Sequence, residues 1–237
     1  IRLICNLYRG FAHGLWEQFY ENGDLEYWCR YSHGKQEFYD EWYDTRGNLI
    51  QSDCWSAGLK HGRCKSYQLG QLSAIQDFKS GMRHGLWETY GPRGVTFFNG
   101  RFIEDEPDGR HVWRFVNDKP ESEKHYDRGV RIGEWRDFYN TGSIKRQRTY
   151  SDGLIDGEDR CYFESGVLAT LATYRRGQLD GPSLEFYPNG KLKRSVPQKK
   201  GGIEGVERHF DGQVRVRREI QWRHGKSLSD LNFILGR

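Results

Sequence analysis

The run Tyr126–Ile144, YDRGVRIGEWRDFYNTGSI, returns with substitutions from one end of the chain to the other. Tyr174 to Leu192 repeats it with Gly177, Gly181, Phe186, Tyr187 and Gly190 in the corresponding places, and Tyr8 to Leu25 with Gly10, Gly14, Trp16, Phe19, Tyr20 and Gly23. Self-similarity at a fixed period settles architecture before local propensity does, because each unit then packs mainly on its neighbours. The first glycine sets the register. Gly10, Gly34, Gly58, Gly81, Gly129, Gly153, Gly177, Gly201 and Gly225, with Asp105 standing in once, recur every 24 residues or within one of it, which marks about ten units over residues 1–226. A second glycine follows four residues later in most units, with Phe38 and Ser229 as departures. Two residues further on lies a slot holding Trp16, Trp87 and Trp135, but also Asp40, Cys64, His111, Asp159 and Ser183.

Each unit reads as two extended segments and two turns. Leu25, Tyr27, Cys29 and Tyr31 alternate with period two, the mark of a half-buried strand. Gly23, Gly47, Gly94, Gly142, Gly166 and Gly190 supply the positive φ of a turn. The expected fold is therefore all-β: an elongated, single-layer ladder of tandem antiparallel β-hairpins with period 24. Three places predict irregularity. Asp105 with Pro107 suggests an edge or kink, Asp211-Gly212 a shortened turn, and the missing residue before Gly70 a shorter loop. Ser227 to Arg237 carries Leu228, Leu231, Ile234 and Leu235 at helical spacing after Ser-x-x-Asp, so residues 227–237 read as a capping tail with a short helix, a docking peptide being the alternative.

A mean hydropathy of -0.90 with 30% charged residues resembles a disordered composition, but 15% aromatic residues in register mark a folded chain with a thin core. The five cysteines show no Cys-x-x-Cys spacing and sit in different slots, which points to a reduced, intracellular and cytoplasmic setting. No run approaches the roughly 18 apolar residues of a membrane span. The chain begins at Ile1, so a region upstream could belong to the protein.

The pattern Tyr-x-x-Gly-x-x-x-Gly-x-Trp-x-x-Phe-Tyr-x-x-Gly, written by Tyr126, Gly129, Gly133, Trp135, Phe138, Tyr139 and Gly142, resembles the MORN repeat in its variant form. The resemblance covers essentially the whole chain. It implies a curved antiparallel hairpin ladder, no cofactor, and work as a scaffold or tether. Some bacterial proteins of this kind are antitoxins, some eukaryotic ones associate with membranes, and giant viruses of amoebae carry many. Fold is fixed better than function by such a likeness.

Catalysis is not expected. His13, His61 and His84 are periodic, yet equivalent positions in adjacent hairpins lie roughly 9.6 Å apart, too far to share a zinc. They read as solvated turn histidines, and Asp40 and Asp159 as surface carboxylates. No phosphate loop, nucleophile elbow or Cys/His cluster appears.

Charge is unevenly spread. Residues 191–226 hold eleven Lys or Arg against four Asp or Glu, a net +7, whereas residues 1–60 hold six against nine, a net -3. Arg175, Arg176, Lys191, Lys193, Arg194, Arg215, Arg217 and Arg218 form a candidate basic patch, with anionic lipid its first ligand and nucleic acid a weaker one. The plainer reading is a solvated strand face. Trp16, Trp87 and Trp135 are the candidate aromatic slots. The leading functional expectation is a non-enzymatic scaffold binding other proteins, within a larger assembly such as a viral capsid. An antitoxin-like regulator of one partner and an anionic-membrane tether are the alternatives.

Overall fold

The computed structural model describes residues 2–232, which divide between Asp118 and Lys119 into two compact units. The first unit runs β1 (Arg2–Tyr8), β2 (Phe11–Phe19), β3 (Leu25–Ser32), β4 (Lys35–Tyr43), β5 (Leu49–Ser56), β6 (Leu59–Lys60), β7 (Gly62–Gln68), β8 (Gln71–Lys79), β9 (Met82–Tyr90), β10 (Thr96–Ile103) and β11 (Glu106–Arg114). The second runs β12 (Pro120–Asp127), β13 (Val130–Phe138), β14 (Ile144–Ser151), β15 (Leu154–Tyr162), β16 (Leu168–Arg175), β17 (Gln178–Leu179), β18 (Gly181–Phe186), β19 (Leu192–Lys199), β20 (Gly202–Ile203), β21 (Gly205–Phe210), β22 (Val216–Arg223) and β23 (Lys226–Asn232). Within each unit successive strands pair antiparallel, the two-residue β6, β17 and β20 pairing with the same preceding strand as β7, β18 and β21, so the hairpin ladder and its period are as the sequence predicts.

The anchor glycine has a definite task. It is the second residue of a two-residue turn in which both residues have positive φ, as in Asp152 (φ 50) and Gly153 (φ 80), a geometry that matches the twist of the paired strands. Its amide reaches back to the preceding hairpin: Gly34 donates to the Ala12 carbonyl at 2.8 Å, Gly58 to Gln36 at 2.9 Å, Gly177 to Ile155 at 2.7 Å and Gly201 to Leu179 at 2.8 Å. One edge of each ladder is thus stapled turn to turn. The opposite edge uses the tyrosine of the Phe-Tyr pair, whose hydroxyl donates to a carbonyl of the next unit: Tyr20 to Tyr43 at 2.7 Å, Tyr139 to Tyr162 at 2.8 Å and Tyr187 to Phe210 at 2.9 Å.

Several irregularities resolve differently from expectation. Asp105 does not kink the ladder. It adopts φ 69, keeps the glycine's bond to the Arg83 carbonyl at 3.0 Å, and its carboxylate accepts the Arg83 amide at 3.0 Å, so its side chain stabilises the turn it enters. The loop after β21 is not shortened at Gly212. Asp211 accepts the Val214 amide at 2.9 Å, and Val214 takes the left-handed conformation (φ 66) that Gly190 holds one unit earlier. A β-branched residue is strained there. Val214→Gly is expected to raise stability by about 1 kcal/mol, the relief of the side-chain clash outweighing the added chain entropy. A urea midpoint that falls would contradict this.

The expected C-terminal helix is not formed over residues 227–232. β23 instead pairs with β22, Arg223 facing Lys226 and Ile220 facing Asp230. Pairing satisfies the N–H and C=O row of β22, whereas an isolated helix this short lacks a stable nucleus. Residues 233–237 lie outside the described residues. The one helical turn among the described residues is the loop segment Pro92–Gly94.

Candidate interaction surfaces

The tryptophan slot is the core. Asp40, Cys64, His111, Asp159 and Glu207, which occupy it, are all 5% exposed or less. Asp40 and Asp159 are therefore buried, not surface carboxylates, and each is held by a partner on an adjacent strand. Asp159 on β15 accepts Arg146 of β14, Nε at 2.8 Å, and Glu207 on β21 accepts Arg194 Nε at 2.8 Å and Trp222 Nε1 at 2.8 Å. Burial pushes the Glu207 carboxyl up, but the bonds from Arg194 and His209 outweigh it and leave the group below the ordinary range. His111 is buried as well, caged by Phe98, Phe102 and Trp113, with Nε2 2.7 Å from the Arg101 carbonyl. Burial lowers its pKa, so it is neutral and not a solvated histidine.

Among the described residues Asp40 has no cation of its own. It faces Asp53 across β4 and β5, accepts Gln36 Nε2 at 2.8 Å and the Asp53 amide at 3.2 Å, and its pKa is raised by burial and by the Asp53 charge. Asp53 has the cation: Lys60 Nζ lies 2.7 Å away, over the Trp55 and Phe78 rings. Burial also lifts the neighbouring Cys64 thiol to about 12, so it is no nucleophile. Because Asp40 is raised in the folded state, its contribution is fully present below the unfolded carboxyl pKa, about 3.9, and is lost as pH rises through the folded value. Asp40→Asn is expected to gain stability relative to the parent between about pH 4 and pH 7 and to show no gain below that range. Urea titrations at the two ends check the sign.

Trp16, Trp87 and Trp135 are half-buried and packed inside the ladder. Trp16 lies against Tyr31 at 5.6 Å, Trp87 between Phe78 at 6.0 Å and Phe102 at 5.2 Å, and Trp135 between Tyr126 at 5.1 Å and Tyr150 at 4.6 Å. The candidate basic patch divides in two. Lys193 pairs with Glu185 at 2.6 Å, Arg194 with Glu207, and Arg215 and Arg217 with Asp211 at 3.0 and 3.3 Å; Arg218 is half-buried on β22 and Lys191 is exposed in the loop after β18. Arg175 and Arg176 sit apart from these, exposed at a turn.

A groove of about 570 Å³ was not legible in the sequence. It is lined by Phe38, Tyr39, Trp55, Arg63, Lys65 and Tyr67 of β4, β5 and β7. Phe38 stands where other units have their second glycine and adopts its positive φ, 68, with the side chain 61% exposed beside Tyr39 at 56%. The departure at position 38 was visible in the sequence, but not that the phenylalanine keeps the glycine's backbone.

These features define a class, the tandem β-hairpin repeat protein. Three segments of the chain, residues 12–31, 131–152 and 179–200, match the family model of the MORN repeat variant. No curated protein matches the chain.

Proposed function

We propose that the chain is a non-enzymatic repeat scaffold that binds another protein inside the cell, with the groove at Phe38 as a contact. Phe38 carries the proposal. A non-glycine residue in the left-handed region costs about 1–3 kcal/mol, and the ladder gains little packing in return from a ring that is 61% exposed. Strain combined with an exposed aromatic pair, in a groove flanked by Arg63 and Lys65, is the composition of a binding hot spot. Catalysis and a cofactor are not needed for this role.

Phe38→Gly is expected to raise stability by about 1 kcal/mol while weakening the partner complex at least tenfold through a faster off-rate. Val214→Gly, which relieves the same backbone strain elsewhere, serves as the control and leaves binding unchanged. The partner is obtained by placing a photocrosslinking residue at Tyr39 and isolating the adduct from the native source. A single small toxin-like protein in that adduct favours the antitoxin-like reading over the larger assembly, and parental affinity in Phe38→Gly overturns the groove as the contact.

A further inference from the structure

The turns that close β16, β19 and β22 carry adjacent basic residues: Arg175-Arg176, Lys199-Lys200 and Arg223-His224, with Lys226 just beyond the last. All seven side chains are exposed. Arg175, Arg176, Lys199, Lys200, Arg223 and Lys226 make no ion pair among the described residues, whereas most basic residues on the neighbouring strand faces are neutralised. His224 lies 3.8 Å from Glu204. The two-residue turn does not require cations. The corresponding pairs elsewhere, Tyr8-Arg9, Ser32-His33, Ser56-Ala57, Lys79-Ser80, Ile103-Glu104, Asp127-Arg128 and Ser151-Asp152, hold at most one Lys or Arg each.

Successive turns are locked side by side by the staple bonds, Gly201 to Leu179 at 2.8 Å and Gly225 to Ile203 at 3.2 Å. Two strand spacings separate equivalent residues, about 9.6 Å. Between the turns lie two clefts, about 370 Å³ between Arg176 and Lys200 and about 340 Å³ between Lys200 and His224, so Lys200 borders both. Asp180 borders the first cleft and Glu204 the second, which leaves six Lys or Arg against two acids, a net +4 along the edge.

We infer that this turn edge binds an extended acidic segment of a partner protein, with a carboxylate at every third residue. The inference rests on the protein-binding reading above and adds a second surface to it. A polyproline II chain rises about 3.1 Å per residue with three residues per turn, so its positions i, i+3 and i+6 share one face about 9.3 Å apart. That pitch matches the turn spacing, and it lets the basic residues of each turn meet one carboxylate while the chain crosses the turns at right angles to the strands. Arginine and lysine in the same row fit carboxylates as a fork and as a point charge.

The peptide (Glu-Pro-Pro)4 presents that spacing, and a control of the same composition with its four glutamates adjacent does not. Fluorescence anisotropy against the full chain at about 0.05 and 0.15 M salt, where screening lengths differ, is expected to show the spaced peptide binding at least tenfold tighter than the block. The combined variant Arg175→Gln, Arg176→Asn, Lys199→Gln, Lys200→Asn and Arg223→Gln is expected to lose that binding at least tenfold. Asparagine suits the positive-φ turn position, so the variant keeps its fold, checked by an unchanged urea midpoint. Equal affinity for the two peptides overturns the inference, as does tighter binding of oligodeoxythymidylate or of phosphatidylserine-containing vesicles. Should the partner crosslinked at Tyr39 still bind the variant while the peptide does not bind the parent, the edge inference fails and the groove reading stands.

Discussion

Lys60→Met is expected to lower the stability of the first unit by about 2–4 kcal/mol at neutral pH, the range for stripping the cation from a buried pair, reduced because Lys60 is partly solvated. Asp53 is 3% exposed and directly faces Asp40, itself 3% exposed, so without Lys60 two carboxyls share one buried site. Their hydrogen bonds to Gln51 at 2.7 Å and Gln36 at 2.8 Å remain, but neither glutamine brings charge. Burial and the facing Asp53 charge already raise the Asp40 carboxyl pKa, and nothing positive then offsets that charge. By linkage the stability that Asp40 contributes is intact below about pH 3.9 and lost as pH rises through its folded value. The variant is therefore most damaged at pH 7 and close to the parent near pH 4. Methionine keeps the stem's packing on Trp55 and Phe78, so a lost aromatic contact is the smaller part. Chemical unfolding at both pH values decides: a cost that does not change with pH would mean that Lys60 acts through packing alone.

The buried acids also show where sequence reading stopped. Glycine period, strand alternation and turn positions were legible because each reflects a backbone demand that recurs in nearly every unit. The staples at Tyr20, Tyr139 and Tyr187 were half legible: the tyrosine recurs in register, but its hydroxyl partner is a carbonyl 23 residues on and leaves no side-chain pattern. Slot acids were misread because polarity was taken as exposure. The missing information lies thirteen residues earlier, on the preceding return strand. Arg146 precedes Asp159 and Arg194 precedes Glu207 by that interval, while the small buried residues Ala74 and Ser122 precede Trp87 and Trp135 by the same interval. In these four hairpins an acid in the slot is matched with a cation and a large ring with a small residue, so volume and charge are balanced between hairpins and not within one; Asp40, preceded by Tyr27 at the same interval, and Trp16, preceded by Leu3, depart from this. The pairing of the basic residues was hidden for the same reason. Residues close in sequence, such as Arg215 and Arg217, converge on one acid, Asp211, which three backbone and side-chain bonds from Gln213 and Arg215 help hold at a pKa of about 2. The free cations at Lys199, Lys200 and Arg223 show only once the turns are stacked.

Trp135→Ala is expected to cost about 3 kcal/mol, near the lower end for removing a large ring, because the indole is half-buried and not fully enclosed. Three contributions are lost together. The ring fills the space between Tyr126 and Tyr150, whose own burial depends on it. Its Nε1 donates to the His125 carbonyl at 3.1 Å, opposite the register shift between Glu123 and His125. Lys124 and Arg131 lie over its face at 5.4 and 5.9 Å, cations that the alanine variant returns to water. Because each hairpin is bonded mainly to the next, the damage is local: hydrogen exchange should quicken across β12, β13 and β14 and change little in β19 to β22. Acceleration of equal size throughout residues 119–232 would instead show that the second unit opens as one cooperative block, and the repeats would then be periodic in structure without being independent in stability.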